Sequence, residues 1–286
     1  MESSDFINGE RFQQMADMYL GTADDFLYNP RIFEQIEKHQ ILEDIVSDFN
    51  NPPILFLYTH LLHTFAEKIQ FFMNPFTLIT HNSDYNLTDS DPAVKKILDS
   101  NNLVCWWGQN LCFIHPKMRF LPIGLANTMW DHGKIENFTN VSDKSEDNKS
   151  EDIYFNFNIH TNREKREQCY NVLKTQLPFL PMLPVAENVK RLAQYKWCIC
   201  PEGNGVDTHR LWEAMYLGCV PIVVRSPFID ALMYYTGCEL PIYVVDAWDK
   251  LSDKLSDKLS DKLCDKQYRF DSKWLKLTFF KNQITK

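Results

Sequence analysis

The stretch Trp197-Cys198-Ile199-Cys200-Pro201-Glu202-Gly203-Asn204-Gly205-Val206-Asp207-Thr208-His209-Arg210-Leu211-Trp212-Glu213-Ala214-Met215, closed by Gly218-Cys219-Val220-Pro221-Ile222-Val223-Val224, reads as strand, glycine loop, helix and strand. Trp197 to Cys200 is a short apolar run, and the two glycines that follow sit in a segment whose one bulky apolar residue is Val206. Asp207 and Thr208 are both good N-caps, so the helix begins there. Gly218 is free to take left-handed backbone and ends it, and Cys219 to Val224 forms a second buried strand. His209 and Glu213 lie four residues apart, and Arg210 and Glu213 three, so they share one face of the first turns. Leu211, Ala214 and Met215 make the opposite, packing face. A helix N-terminus presents unpaired N–H groups and a positive dipole end, which suits a diphosphate. Arg210 adds a full charge there, and Glu213, one turn in, is placed to accept hydrogen bonds from ribose hydroxyls.

Outward from this unit, apolar strands alternate with helical segments, the pattern of parallel β-α-β units. Ile54 to Tyr58, Phe76 to Thr80, Leu103 to Trp107 and Arg119 to Ile123 read as strands; Leu61 to Phe72 and Pro92 to Leu98 read as helices. Residues 10–50 predict amphipathic helix from Phe12, Met15, Met18 and Tyr19, then Ile32, Phe33, Ile36 and Ile41. Lys134 to Asp152 is polar and reads as a linker, after which a second alternating series runs from Ile153 to about Asp246. The expected organisation is therefore an N-terminal unit over residues 1–133, a linker over 134–152 and a C-terminal unit over 153–286. The alternative from pattern alone is one open doubly wound sheet. Lys250 to Lys266 is a four-residue repeat of Lys-Leu-Ser-Asp type. Four residues overshoot a helical turn by about 40°, so Leu251, Leu255, Leu259 and Leu263 form a slanted stripe on a surface helix. Tyr268 to Phe280 reads as a closing helix.

Composition narrows the function. The formal net charge of −8 argues against a nucleic-acid backbone as partner, since that contact needs clustered Lys and Arg. Eight cysteines show no paired C-x-x-C spacing, and most lie in apolar runs, so buried free thiols and a reducing compartment are expected. Met1-Glu2-Ser3-Ser4-Asp5 is not a signal peptide, and no stretch approaches the ~20 apolar residues of a membrane span. A soluble, cytoplasmic protein is the expectation, in which the sequons at Asn86, Asn137 and Asn140 would stay unused.

The glycine loop with its Glu-Ala-Met…Gly…Pro continuation resembles the donor-binding segment of GT-B glycosyltransferases. The fuller string Pro-Glu-Gly-Asn-Gly, Asp-Thr-His-Arg and Leu-Gly-Cys-Val-Pro-Ile-Val is similar to exostosin-like proteins of glycosyltransferase family 47, and most of all to soluble members encoded by large DNA viruses of algae. His81-Asn82-Ser83-Asp84, Trp107-Gly108-Gln109-Asn110, Leu121-Pro122-Ile123-Gly124-Leu125-Ala126-Asn127 and Tyr154-Phe155-Asn156-Phe157 fall in the order the family shows, so the resemblance spans roughly residues 50–245. It implies an α/β fold of GT-B type, two Rossmann-like domains facing a central cleft, with a C-terminal tail that crosses back to the first. It also implies an inverting transfer from a UDP-sugar, UDP-xylose first, to an oligosaccharide or glycoprotein acceptor, without a cofactor. Capsid-glycan synthesis in a host cytoplasm is the implied setting. The competing readings are another nucleotide sugar, such as a GDP-sugar, and a non-catalytic carbohydrate-binding or scaffold protein. Golgi exostosins carry an N-terminal anchor, and this chain departs from them.

Glu202, Gly203, Asn204, Gly205, Thr208, His209, Arg210 and Glu213 are thus the expected donor-binding residues, joined by Arg163 and Arg166. Those arginines follow the strand Tyr154 to Ile159 and so face the crevice at the strand C-terminal ends. Sugar transfer needs a base for the acceptor hydroxyl, and Asp84, just after a strand, is the first choice, with His60 and His81 in reserve. Asp84 is also well suited to capping a turn with Asn82 and Ser83. Asp89-Ser90-Asp91 looks like a D-x-D metal motif, but Asp91 before Pro92 is explained as a helix N-cap, and no metal site is expected.

Overall fold

The computed structural model describes residues 3–21, 33–35 (backbone), 52–139, 141, 149–256 and 268–285. Among these residues, ten strands form two all-parallel sheets. The first holds β1 (Met18–Gly21), β2 (Phe33–Gln35), β3 (Ile54–Tyr58), β4 (Phe76–His81), β5 (Leu103–Gly108) and β6 (Met118–Phe120), in the order β2-β1-β3-β4-β5-β6. The second holds β7 (Glu151–Tyr154), β8 (Tyr195–Ile199), β9 (Val220–Val224) and β10 (Tyr243–Val245), in the order β10-β9-β8-β7. The architecture is α/β with two parallel sheets flanked by helices, compatible with a Rossmann-like two-domain fold.

The first sheet is covered by α1 (Gly9–Gln13), α2 (Leu62–Lys68) and α3 (Pro92–Leu98). A short α4 (Glu136–Thr139) leads toward the second sheet, whose helices are α5 (Arg163–Leu173), α6 (Val185–Leu192), α7 (His209–Tyr216), α8 (Pro227–Thr236) and α9 (Trp248–Ser256). The closing helix α10 (Leu277–Ile284) returns to the first sheet, where Phe280 meets Phe12 edge-on at 5.5 Å and Trp107 at 6.4 Å.

Local chemistry explains the central elements. Helix α7 ends in a Schellman arrangement: Gly218 sits at φ 66°, its N–H bonds Met215 O at 3.1 Å, and Cys219 N–H bonds Ala214 O at 2.8 Å. Asp91 caps α3 through Ala93 N–H at 2.7 Å, with Pro92 first in the helix. Strand β3 is buried at all five positions, as a strand covered on both faces must be.

Four sequence expectations need correction, the first being the closing helix expected over Tyr268–Phe280, which starts at Leu277 after a single turn at Lys273–Leu275. The helix expected through residues 10–50 is short at Gly9–Gln13, and the chain then turns into β1, buried along its length. Phe12, Met15, Met18 and Tyr19 do follow helical spacing, but Met18-Tyr19-Leu20 is also an unbroken apolar run, which a strand covered on both faces accepts. Ile32, Ile36 and Ile41 lie outside the described residues. The strand expected over Tyr154–Ile159 runs from Glu151 to Tyr154, so it begins inside the stretch read as linker. The strand expected from Arg119 to Ile123 ends at Phe120. In the repeat, Leu251 is fully buried and Leu255 packs on the same cluster, while Leu259 and Leu263 lie outside the described residues.

One apolar cluster runs from the first sheet through α7 and α8 into the second. Phe120 on β6 stacks on Trp212 at 6.2 Å and meets Phe228 at 6.0 Å, and Phe6 meets Tyr216 at 4.8 Å. Aromatic pairs at these distances contribute about 0.5–1.5 kcal/mol each beyond area burial. Hydrophobic burial therefore fixes how the two sheets meet.

Candidate functional site

Three cavities follow one another where the carboxyl ends of the two sheets meet, as ligand sites do in open α/β sheets. The first, about 260 Å³, lies beyond β8, β9 and β10 and is walled by Val206, Phe228, Ile229 and Trp248, with Glu202 and Arg225 at its edges. The second, about 350 Å³, holds Arg166, the loop Gly203–Gly205, Arg210 and Glu213. The third, about 370 Å³, lies beyond β3, β4 and β5 and holds Tyr58, His81, Asn82 and Gln109. Thr208 lines the first and second; Asp84, Ile123 and His209 line the second and third.

The second cavity holds two guanidiniums. Arg166 donates from Nε to Glu202 O at 2.9 Å and from Nη1 to Asn158 O at 2.9 Å, and it pairs with no carboxylate among the described residues. Burial, with Arg210 nearby, brings its pKa down to about 10, so it still carries its charge at neutral pH. Arg210 donates to Asn156 O at 2.6 Å, pairs with Glu213 at 3.1 Å and lies over the Tyr154 ring at 5.5 Å. Burial opposes its charge, but Glu213 and the acidic groups around it more than offset this and raise its pKa. Thr208, the N-cap of α7, makes no side-chain capping bond, so the helix start is not satisfied by its own cap residue. Positive potential gathers where Arg166, Arg210 and the helix start converge, while Glu213, Asp84 and Asp207 are the carboxyl groups of the same lining.

The glycines act through close approach. A Cβ on Gly205 would lie 3.0 Å from Asn110 Nδ2 and 3.4 Å from Asp84 Cα, and one on Gly203 would lie 3.2 Å from Arg166 Nη2. Asn110 fastens the loop across the two sheets: its Nδ2 donates to Ser83 O at 3.0 Å, and its Oδ1 accepts from Asp207 N at 3.1 Å. Asp207 is a second fastener, accepting from Ile123 N at 2.7 Å and from Trp212 Nε1 at 2.8 Å. Burial drives its pKa up to about 7 against those bonds.

At the junction, Asp84 is exposed, and among the described residues its carboxylate makes no hydrogen bond or ion pair. His209 Nδ1 lies 2.9 Å from Gly124 O, so Nδ1 carries the proton and Nε2 keeps its lone pair. Burial lowers the His209 pKa, and the neutral form prevails at neutral pH. Gly124 brings that carbonyl into place at φ 65°, where a Cβ would stand 2.2 Å from Ile7 O.

The structure thus draws Gly203, Asn204, Gly205, Thr208, His209, Arg210, Glu213, Arg166 and Asp84 around one cavity, with Glu202 next door. It leaves others out. Arg163 is exposed and pairs with Glu167 at 3.2 Å: three residues before Arg166, it lies about 60° around α5 from it and nearly one turn closer to the helix start. His60 is exposed and lines none of the three cavities. His81 lines the third cavity but is held on both nitrogens: Nε2–H donates to Pro122 O at 3.0 Å, and Nδ1 accepts from Asn82 N at 2.8 Å. Burial takes its pKa down to about 4. It is a strut and has no free nitrogen for a substrate proton. Asp91 is held by Tyr85 OH at 2.5 Å and by its capping bond, while Asp89 is exposed. Sequence reading missed Asp207 and Asn110 as fasteners, Gln109 in the wall and the junction role of His209. Gln109 and Asn110 did carry a signal, since they directly follow β5.

No family model matches the chain. A probable glycosyltransferase of Arabidopsis thaliana is 49% identical over 41 residues, which cover 13% of this chain and 8% of that protein. Among the described residues, no helix is long and apolar enough to cross a membrane.

Proposed function

We propose that this protein is a glycosyltransferase of GT-B, exostosin-like type. It transfers a sugar from a nucleoside-diphosphate sugar, UDP-xylose first, to a hydroxyl of an oligosaccharide acceptor. One observation carries the reading: three cavities are joined in line by shared residues, and the one that holds both guanidiniums is in the middle. The short similarity to a probable glycosyltransferase supports it. The nucleoside occupies the apolar-walled cavity beside Phe228 and Trp248. The diphosphate lies past Thr208 against Arg166, Arg210 and the start of α7, and the sugar reaches Asp84 and His209.

The chemistry follows from those positions. The acceptor hydroxyl enters from the third cavity and attacks the anomeric carbon from the side opposite the diphosphate. The new carbon–oxygen bond forms as the bond to the diphosphate breaks, which inverts the centre. Asp84 takes the hydroxyl proton and, being exposed, passes it to solvent. The two guanidiniums and the helix start hold the charge that develops on the leaving diphosphate, without a metal ion. A second assignment of the base rests on His209, whose Nε2 is neutral and unpartnered among the described residues.

Titration calorimetry with UDP, GDP and UDP-xylose, with EDTA present, tests the reading. Binding of UDP and the UDP-sugar in EDTA is the expected result. A preference for GDP would reassign the donor, and no binding of any nucleotide would end the proposal.

A further inference from the structure

Arg210 is held from two sides, and the two holds differ in kind. One is Glu213, three residues on in the same helix, which accepts from Nε at 3.1 Å. The other comes from the end of β7 and the residues after it. Asn156 O accepts from Nη1 at 2.6 Å, and the centre of the Tyr154 ring lies 5.5 Å from the guanidinium carbon. Tyr154 is fully buried, and burial raises its pKa against the pull of Arg210 and Arg191. It is therefore a neutral phenol at neutral pH, and it offers the guanidinium its ring face.

The ring is itself braced from behind the cavity wall. Its hydroxyl donates to Asn188 Oδ1 at 2.5 Å and accepts from Arg191 Nη2 at 3.3 Å, both on α6. The Arg191 guanidinium also lies over the ring, at 5.5 Å, and Tyr195 meets it edge-on at 5.1 Å. Asn156 is fixed in the same way: it is fully buried, and its Nδ2 donates to Leu180 O at 2.7 Å. Tyr154, Asn188 and Arg191 line none of the three cavities, so they act on the site without touching what enters it.

The two holds answer differently to a ligand. Glu213 lines the second cavity beside Arg210, and its carboxylate is an acceptor that a ligand hydroxyl can engage. A carboxylate drawn toward a ligand loosens its pair with Arg210. The ring face and the Asn156 carbonyl have no such second partner to turn to. We infer that Tyr154 is the positioning residue of Arg210: its ring, braced by Asn188 and Arg191, keeps the guanidinium in the second cavity independently of Glu213, which leaves Glu213 free to take a ligand hydroxyl. The inference rests on the proposed donor site for its meaning, because the group that Arg210 meets there is a diphosphate. The placing of Arg210 itself is a property of the free protein.

Crystal structures of variants of the full chain, with titrations of UDP and uridine, test it. In Glu213→Gln the guanidinium stays within about 6 Å of the Tyr154 ring, the reach of a cation–π contact. In Tyr154→Leu it leaves that position. UDP affinity then falls about 5- to 30-fold, the loss expected when a desolvated cation–π contact is removed, while uridine, which carries no diphosphate, binds as before. A merely structural role for Tyr154 would weaken both ligands alike. Tyr154→Phe keeps the ring face and recovers most of the UDP affinity. Departure of Arg210 from the ring in Glu213→Gln overturns the inference. So does an equal loss of UDP and uridine, or full UDP affinity, in Tyr154→Leu. If Tyr154→Leu does not fold, Glu213→Gln and Tyr154→Phe decide, and the inference stands only if Arg210 keeps its place over the ring in both. If the wild-type protein binds no UDP, the donor reading falls, and the crystal positions of Arg210 alone decide this one.

Discussion

The second and third cavities meet at Asp84 and His209 but are built on opposite principles. The second is a charged surface built mainly on one contiguous motif: the glycine loop, the start of α7 and Arg210 all come from residues 203–213, and Arg166 adds a second guanidinium from elsewhere. The third is a neutral, amide-lined surface assembled from the ends of three strands and two distant loops. On the charged side Arg210 and Glu213 hold each other. On the neutral side Gln109 Oε1 and Asn82 Nδ2 are buried, with no hydrogen-bond partner among the described residues. Affinity for an anion can be carried by field and a few fixed donors, whereas recognition of an uncharged molecule requires individual partners.

The sharpest test of this division is at the junction. Asp84→Asn keeps the shape and removes the basic oxygen, so turnover should fall about 10²–10⁴-fold while UDP affinity is unchanged. Steady-state kinetics beside calorimetry reads both. Near-wild-type turnover would pass the base to His209, in which case His209→Asn carries the loss.

Next in size is the charged side. Arg166→Ala removes the guanidinium that has no carboxylate partner, and UDP affinity should drop by about 1.5–3 kcal/mol, roughly 10- to 150-fold. Uridine affinity should not move. An equal loss of UDP and uridine would mean that Arg166 does not act through its charge.

The fastening between the sides is tested by Gly205→Ala. The added methyl is forced against Asn110 and the Asp84 backbone, so denaturant unfolding should show a loss of about 1–3 kcal/mol. If the loop simply shifts, stability will hold and turnover alone will fall.

The smallest effect is in pH. The His81 pKa is lowered to about 4, so its contribution is lost as pH falls from about 6.5 toward 4, because the unfolded chain binds the extra proton. The Asp207 pKa is raised to about 7, so its contribution has the opposite sign and stability falls as pH rises from about 4 to 7. The two slopes, each about 1.4 kcal/mol per pH unit, oppose each other over the shared window. Asp207→Asn removes one and should expose a steeper acid loss in urea midpoints between pH 4 and 6.5. An unchanged profile would show that Asp207 is ionised in the fold.

Much of the fold was written locally. Pro92 after Asp91 starts α3, Gly218 stops α7, and the apolar runs of β3, β4, β5, β8 and β9 mark buried parallel strands. The second cavity was legible for the same reason: most of its residues are neighbours along the chain, and the spacing of Arg210 and Glu213 on a helix sets their pairing. Periodicity failed where two readings fit the same residues, as at Met18-Tyr19-Leu20, whose burial on both faces depends on strands far along the chain.

Tertiary structure decided the rest. It chose Arg166 over Arg163 by the face of α5 that meets the glycine loop, and it fixed His81 as a strut by bringing Pro122 O against its ring. It also set His209 between two cavities through Gly124 O, and joined Asn110 to Asp207 across 97 positions of sequence. Local chemistry marked most of the strands and helices and the place where an anion would be welcome, because those depend on bonds and fields a few residues long. Only the packing of the two sheets on Phe120, Trp212 and Phe228 determined which side chains share a cavity, because such contacts join parts of the chain that no local rule connects.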